Sequence, residues 1–245
     1  MPRLFSVNDI INRAVAEIGL NQTTDPVGST DETFVLAQSL LDSAGQEMVE
    51  LHQWQNLVRK YEINTLSTDS GEYDLPDDFC YMIDQTGWDR TNHVPVNGPL
   101  NAQDWTYIEG RNLVSQTIYA SFRPVQNKVV IFPSPPPDGL KLTFEYISRN
   151  WLMTAANGQS THDVIKDGGD ICLFEPILMI KFLKVKIQDS KGFDSTAARQ
   201  DFENMFLSRT GKDEGAEVLN ASFNARGIPY LNTYWNTPDT GYGGY

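Results

Sequence analysis

The chain has 245 residues, 40% of them apolar and 11% aromatic, enough for one large domain or two small ones with a real hydrophobic core and too apolar for a disordered chain. The formal net charge of −13 excludes a protein that wraps DNA or coats an anionic membrane, since both need clusters of Lys and Arg. Acidity of this size suits plain solubility, or the wall of a channel past which DNA slides without sticking.

No run reaches the roughly 18–20 consecutive apolar residues of a membrane span. The most apolar stretch, 171–187, is interrupted by Glu175, Lys181, Lys184 and Lys186. The N-terminus lacks the apolar segment of a signal peptide and reads directly into a helix, so a soluble protein made in the cytoplasm is expected. There, Ser6 and Asp9 form a loose capping box, Val7, Ile10, Ile11, Ala14, Val15 and Ile18 recur at helical spacing, and Gly19 supplies a stop, predicting a helix over 7–18. A second helix starts at a Thr30 or Asp31 cap. Phe34, Ala37, Leu41, Ala44, Met48, Leu51 and Val58 then follow at spacings near a seven-residue repeat, which extends it to 58. From Ala14 to Val58 there is no Lys or Arg, so the outer faces of these helices carry one sign of charge; Asp42, Glu47 and Glu50 are the candidates to face a channel.

The centre is rich in Gly, Pro and aromatic residues. Candidate strands fall at 61–66, 80–86, 116–122, 128–132 and 140–147, with Pro76 breaking any strand that continues from YDL and PSPPPDG forming a stiff connection between the last two. Helices return over 170–188, with Pro176 in the first turn or at a kink, and again behind an Asp194 or Ser195 cap, where Ala198, Phe202, Met205 and Phe206 share a face. The fold expected is α+β: an antiparallel helical bundle of two N-terminal and two C-terminal helices with a β-rich middle subdomain. The divisions are 1–60 (helical pair), 61–150 (β-rich part), 151–215 (second helical pair) and 216–245 (extended C-terminal arm). Residues 227–245 hold five aromatics, Tyr230, Tyr234, Trp235, Tyr242 and Tyr245, and a single charged side chain, Asp239. Such a segment cannot build its own core and is too aromatic for a solvating tail; it fits packing on its own domain or ordering on a neighbouring protein.

Chemistry is hard to find. His52, His93 and His162 are isolated, Cys80 and Cys172 lie far apart, and neither a nucleophile elbow nor a phosphate loop occurs. A wall-degrading hydrolase would need two carboxylates across a cleft; Asp77, Asp78, Asp84 and Glu109 are available, as they would be in any acidic protein. No catalytic residue, cofactor or metal is expected.

YDLPDDF (73–79), WDRT (88–91), GPL (98–100) and QDW (103–105) occur in this order between an N-terminal two-helix unit and a C-terminal helix pair broken by KGFDSTAARQDFE (191–203). Over roughly residues 4–215 the chain thereby resembles the head-to-tail adaptor proteins of tailed double-stranded DNA phages, also called tail tubular protein A or head-completion proteins. The resemblance implies a structural virion protein that forms a twelve-membered ring with copies of itself between the portal protein and the tail nozzle. It would join after DNA packaging, help retain the genome, let DNA pass without specific binding, and need no cofactor. Another minor tail or baseplate protein is the alternative. The arm aromatics Tyr230, Tyr234 and Trp235 are the expected anchors on a partner, with Tyr242 and Tyr245 beyond them.

Overall fold

Ser6 holds extended backbone and its hydroxyl accepts the Asp9 N–H at 3.2 Å, which starts α1 (Val7–Glu17) where the capping pattern puts it. The computed structural model describes residues 4–110, 121–155 and 160–213. The α1 stripe Val7, Ile10, Ile11, Ala14 and Val15 is buried. Asp31 caps α2 (Glu32–Leu51) by accepting the Thr33 N–H at 2.8 Å.

The apolar repeat runs on to Val58, but the helix does not. His52 is extended (φ −161°, ψ 152°), and the Trp54 indole turns back to donate to the Met48 carbonyl at 2.6 Å, satisfying a carbonyl of the last turn. A 3₁₀ turn (Gln55–Leu57) then leads into β1 (Val58–Asn64), so Val58 opens a strand. β2 (Glu72–Asp74), β3 (Phe79–Met82), β4 (Trp88–Asp89) and β5 (Val94–Pro95) follow. α3 (Ala102–Gly110) was not expected within the β-rich centre: Asn101 accepts the Asp104 N–H at 2.8 Å, and Trp105 buries its only core-facing side chain. After it come β6 (Ser121–Val125), β7 (Lys128–Phe132), β8 (Lys141–Ser148), β9 (Leu152–Met153), β10 (Thr161–His162) and β11 (Ile171–Cys172).

The third predicted helix starts later than 170. Residues 171 and 172 belong to β11, and α4 (Pro176–Ser190) begins on Pro176, whose missing N–H costs nothing in a first turn. The Asp194 carboxylate then accepts both the N–H (3.0 Å) and hydroxyl (2.7 Å) of Thr196 and opens α5 (Thr196–Asp213). The fold is α+β. α1, α2 and α5 each pack on α4, whose Leu178, Met179, Phe182, Leu183, Val185 and Ile187 are buried. Phe182 stacks on Phe202 of α5 at 4.4 Å.

β8 ties the helices to the strands. It pairs antiparallel with β1 from Val58↔Ile147 to Asn64↔Lys141, and with β3 and β4 on its other side. Its Ile147 belongs to the helical core with Trp151 and Phe174, whereas Leu142 and Phe144 enter a second core with Ile63, Phe122, Val129 and Ile131 from the β1 and β2–β7–β6 sheets. One strand feeding two cores fixes the β-rich part against the helices.

Candidate functional site

Central residues of the motifs that carry the family resemblance hold the framework together. In YDLPDDF, the Tyr73 hydroxyl donates to Asp69 at 2.8 Å, and the Asp78 carboxylate accepts from the Tyr146 (2.8 Å) and Ser148 (2.6 Å) hydroxyls of β8. Burial and that acceptor push the Tyr146 phenol well above its ordinary range. In WDRT, the fully buried Asp89 accepts the Thr91 N–H at 2.7 Å, and Arg90 Nε donates to Thr143 at 3.0 Å, so the tetrapeptide locks a turn onto β8. Gly98 has φ +152°, and a Cβ there would lie 2.6 Å from the Phe122 carbonyl oxygen, which leaves the site to glycine. Trp105 packs edge-on to Phe132 at 6.3 Å, with the Arg123 guanidinium 5.3 Å over its ring.

Asp42, Glu47 and Glu50 lie on one helix but in different settings. Asp42 is half-buried, and its carboxylate accepts the Ile165 N–H at 2.9 Å. Burial raises its carboxyl above the usual range against the opposing pull of that hydrogen bond, with Asp163 adding repulsion. Glu47 is exposed and meets Lys186 at 2.6 Å; Glu50 is exposed and accepts the Cys80 S–H at 3.2 Å. The Lys-free surface of α1 and α2 is therefore partly answered from α4: Lys184 meets Glu17 at 3.1 Å and Lys186 meets Glu47, while Lys181 reaches Asp201 of α5 at 3.4 Å. Each pair is solvent-exposed on at least one side and contributes about 0–1 kcal/mol.

The Asp42 setting yields a mutation series. Asp42→Asn keeps an acceptor for the Ile165 N–H and removes a poorly solvated charge, so unfolding stability is expected to change by less than about 0.5 kcal/mol or to rise. Asp42→Ala leaves that N–H without its partner and is expected to cost about 1–2 kcal/mol. Urea unfolding of the two variants checks this ordering.

The hydrolase candidates do not converge. Asp77, Asp84 and Glu109 are exposed, and Asp78 is taken by its two hydroxyl donors. Clefts on the described surface include one between α2 and β3 around Gln46, Glu50, Cys80, Arg149 and Asp163, one beside α3 at Pro99 to Ala102 and Arg123 to Val125, and one around Trp54, Phe174, Arg209 and Asp213. None of these is lined by Asp77, Asp78, Asp84 or Glu109. Burial and the Glu50 carboxylate push the Cys80 thiol up to about 12, and burial does the same for Cys172, the reverse of what a nucleophilic cysteine needs. No group of His, Cys, Asp and Glu suited to a metal occurs among the described residues, and no helix there is long and apolar enough to cross a membrane.

Sequence reasoning missed one polar centre. The Asp170 carboxylate, 2% exposed, accepts from His162 (2.8 Å) and from the Lys166 (3.1 Å) and Asp167 (3.0 Å) N–H groups. The loop it holds accepts the Val7 and Asn8 N–H groups at its Asp170 and Gly168 carbonyls and so fixes the start of α1. The only sequence signal is the GGD turn at 168–170. The arm residues Tyr230, Tyr234, Trp235, Tyr242 and Tyr245 lie outside the described residues.

No curated protein matches the chain significantly. A family model does match, that of the SU10 adaptor protein, over residues 6–226, a span that takes in both cores and each of the framework motifs above. A match over most of the chain shows that the chain belongs to the SU10 adaptor protein family.

Proposed function

We propose that this chain forms a twelve-membered ring between the portal protein and the tail nozzle, giving DNA a conduit and helping to hold the packaged genome. The family establishes the coarser statement, a structural adaptor of the phage virion that contacts other head or tail proteins. The single observation that carries the finer one is the order and spacing of the framework motifs, which resemble those of adaptors that stand directly on the portal. Net acidity supports the conduit: phosphate is repelled by a wall of like charge and the duplex stays mobile. Glu47 and Glu50, exposed on α2, are the proposed wall residues, with Asp42 behind them serving the fold as well. A ring of this kind repeats one heterologous contact until it closes.

The arm anchors the ring through Tyr230, Tyr234 and Trp235, with Tyr242 and Tyr245 adding contact at its end; aromatics are favoured where one surface closes on another. Truncation after Arg226 is therefore expected to leave a folded chain that no longer joins the portal, read by co-sedimentation with portal rings. Normal assembly of the truncated chain would remove the arm from the account. Copy number in purified virions separates this reading from a minor tail or baseplate protein, since the adaptor must be present at twelve copies.

A further inference from the structure

β1 pairs with β8 along its whole length, and its other edge meets no strand among the described residues. In an antiparallel ladder about half the N–H and C=O groups point away from the partner, so this edge presents a row of open donors and acceptors. The opposite edge of the same sheet is blunted: β5 has two residues, one of them Pro95. β1 has seven, VRKYEIN, without Pro or Gly. Its Glu62 is met by both Lys60 at 2.6 Å and Lys141 at 3.0 Å, which leaves a small positive excess along the strand with Arg59.

The described chain ends near the start of β1. The Asp213 carboxylate, last residue of α5, accepts the Gln55 N–H at 2.9 Å and lies 3.5 Å from His52 Nε2. Gln55–Leu57 runs straight into β1, so residues 214–245 start from the N-terminal end of that strand. Within them, residues 230–237 (YLNTYWNT) are uncharged, rich in Tyr, Thr and Trp, and bracketed by Pro229 and Pro238, which would end a strand on both sides. Their eight residues match the seven of β1.

We propose that residues 230–237 of one copy add as a strand to the open edge of β1 in a neighbouring copy. This rests on the reading that the arm anchors the ring, and it names the receptor. Residues 214–229 can span roughly 50–58 Å when extended, more than the roughly 40–45 Å diameter of a domain this size, so a second copy is within reach. The backbone ladder supplies affinity and the aromatic side chains flank it, the usual division of labour in strand addition.

Two full-length populations test this, Glu62→Cys and Thr233→Cys, mixed, assembled on portal rings and treated with a short bismaleimide. Cys80 and Cys172 stay in place, and the unmodified chain carried through the same treatment sets the background. A mixed covalent dimer is expected, and none when Gln200→Cys, exposed on α5, replaces Glu62→Cys. In the unmodified chain, outward-facing β1 amides are expected to exchange at least roughly tenfold more slowly in the assembly than in the free protein. A silent Glu62→Cys together with unchanged β1 exchange overturns the proposal, and so does a double variant, Glu62→Cys with Thr233→Cys, that links only within its own chain. If the chain truncated after Arg226 still fails to assemble, only the receptor is wrong; if it assembles, the arm reading falls as well.

Discussion

Trp151→Ala is expected to lower unfolding stability by about 3–5 kcal/mol, the range for removing a large buried aromatic. The ring is fully buried, stacks on Phe174 at 6.3 Å, and its indole N–H donates to the Asp163 carbonyl at 3.0 Å. It also touches the middle of α2, where Gly45 leaves room for it: a Cβ at position 45 would fall 2.1 Å from the ring. A fully packed indole has no space to give, so Gly45→Val should cost about 3 kcal/mol or more, near the upper end for overpacking. The two sites share one volume and their effects should not add. Gly45→Ala, destabilising in the native background, should become nearly neutral or favourable beside Trp151→Ala, where the methyl enters the vacated space. Urea unfolding of the four chains reads this directly, and simple additivity would contradict the contact.

Asp170→Ala is the second large effect, at about 3–5 kcal/mol, because it strips a buried carboxylate from three donors and leaves two backbone N–H groups of the 166–167 turn without a partner. Asp170→Asn keeps one acceptor oxygen but loses the charge and should fall between. Burial alone would raise this carboxyl; the Asp167 N–H, His162 and the Lys166 N–H outweigh it and hold the carboxyl below the usual range. A depressed carboxylate contributes stability that is present above its unfolded value of about 4 and lost as pH falls through the lower folded value. Wild-type stability should therefore decline as pH drops below about 4, and Asp170→Asn should flatten that part of the decline. A pH series of unfolding midpoints for the two chains checks the sign; a decline equally steep in both would place the acid sensitivity elsewhere.

The helices were legible because their signals are local. The 7–18 stripe and its Ser6 cap and the shared face of Ala198, Phe202, Met205 and Phe206 sit within a few turns of the residues that cause them, and each recurs in the structure. The failures came where a distant contact overrode the local pattern. Val58 continues the α2 repeat in sequence, but β8 offers it a strand partner, Ile147, and Trp54 closes the helix by reaching back to Met48. Residues 171 and 172 read as helix until β9 takes them into a small sheet. α3 was hidden among β-favouring aromatics because its one buried anchor, Trp105, gives no period. The polar centres were the least legible. Nothing near Asp170 announces that His162 will come to it, and the roles of Asp78 and Asp89 depend on β8, more than fifty residues away in sequence.

That dependence bears on function. The motifs that carry the resemblance are framework motifs, so they point to the adaptor fold without marking the surface that touches a partner. The surface reading therefore rests on the acidic face of α2 and on the arm.

Electron cryo-microscopy of this chain mixed with the portal protein of the same genome tests the central claim most directly. The account predicts a twelve-fold ring of the chain on one end of the portal, with α2 carboxylates toward the channel and density for residues 230–237 alongside β1 of the adjacent copy. A portal that stays bare while both proteins are folded would contradict it and move the chain further down the tail.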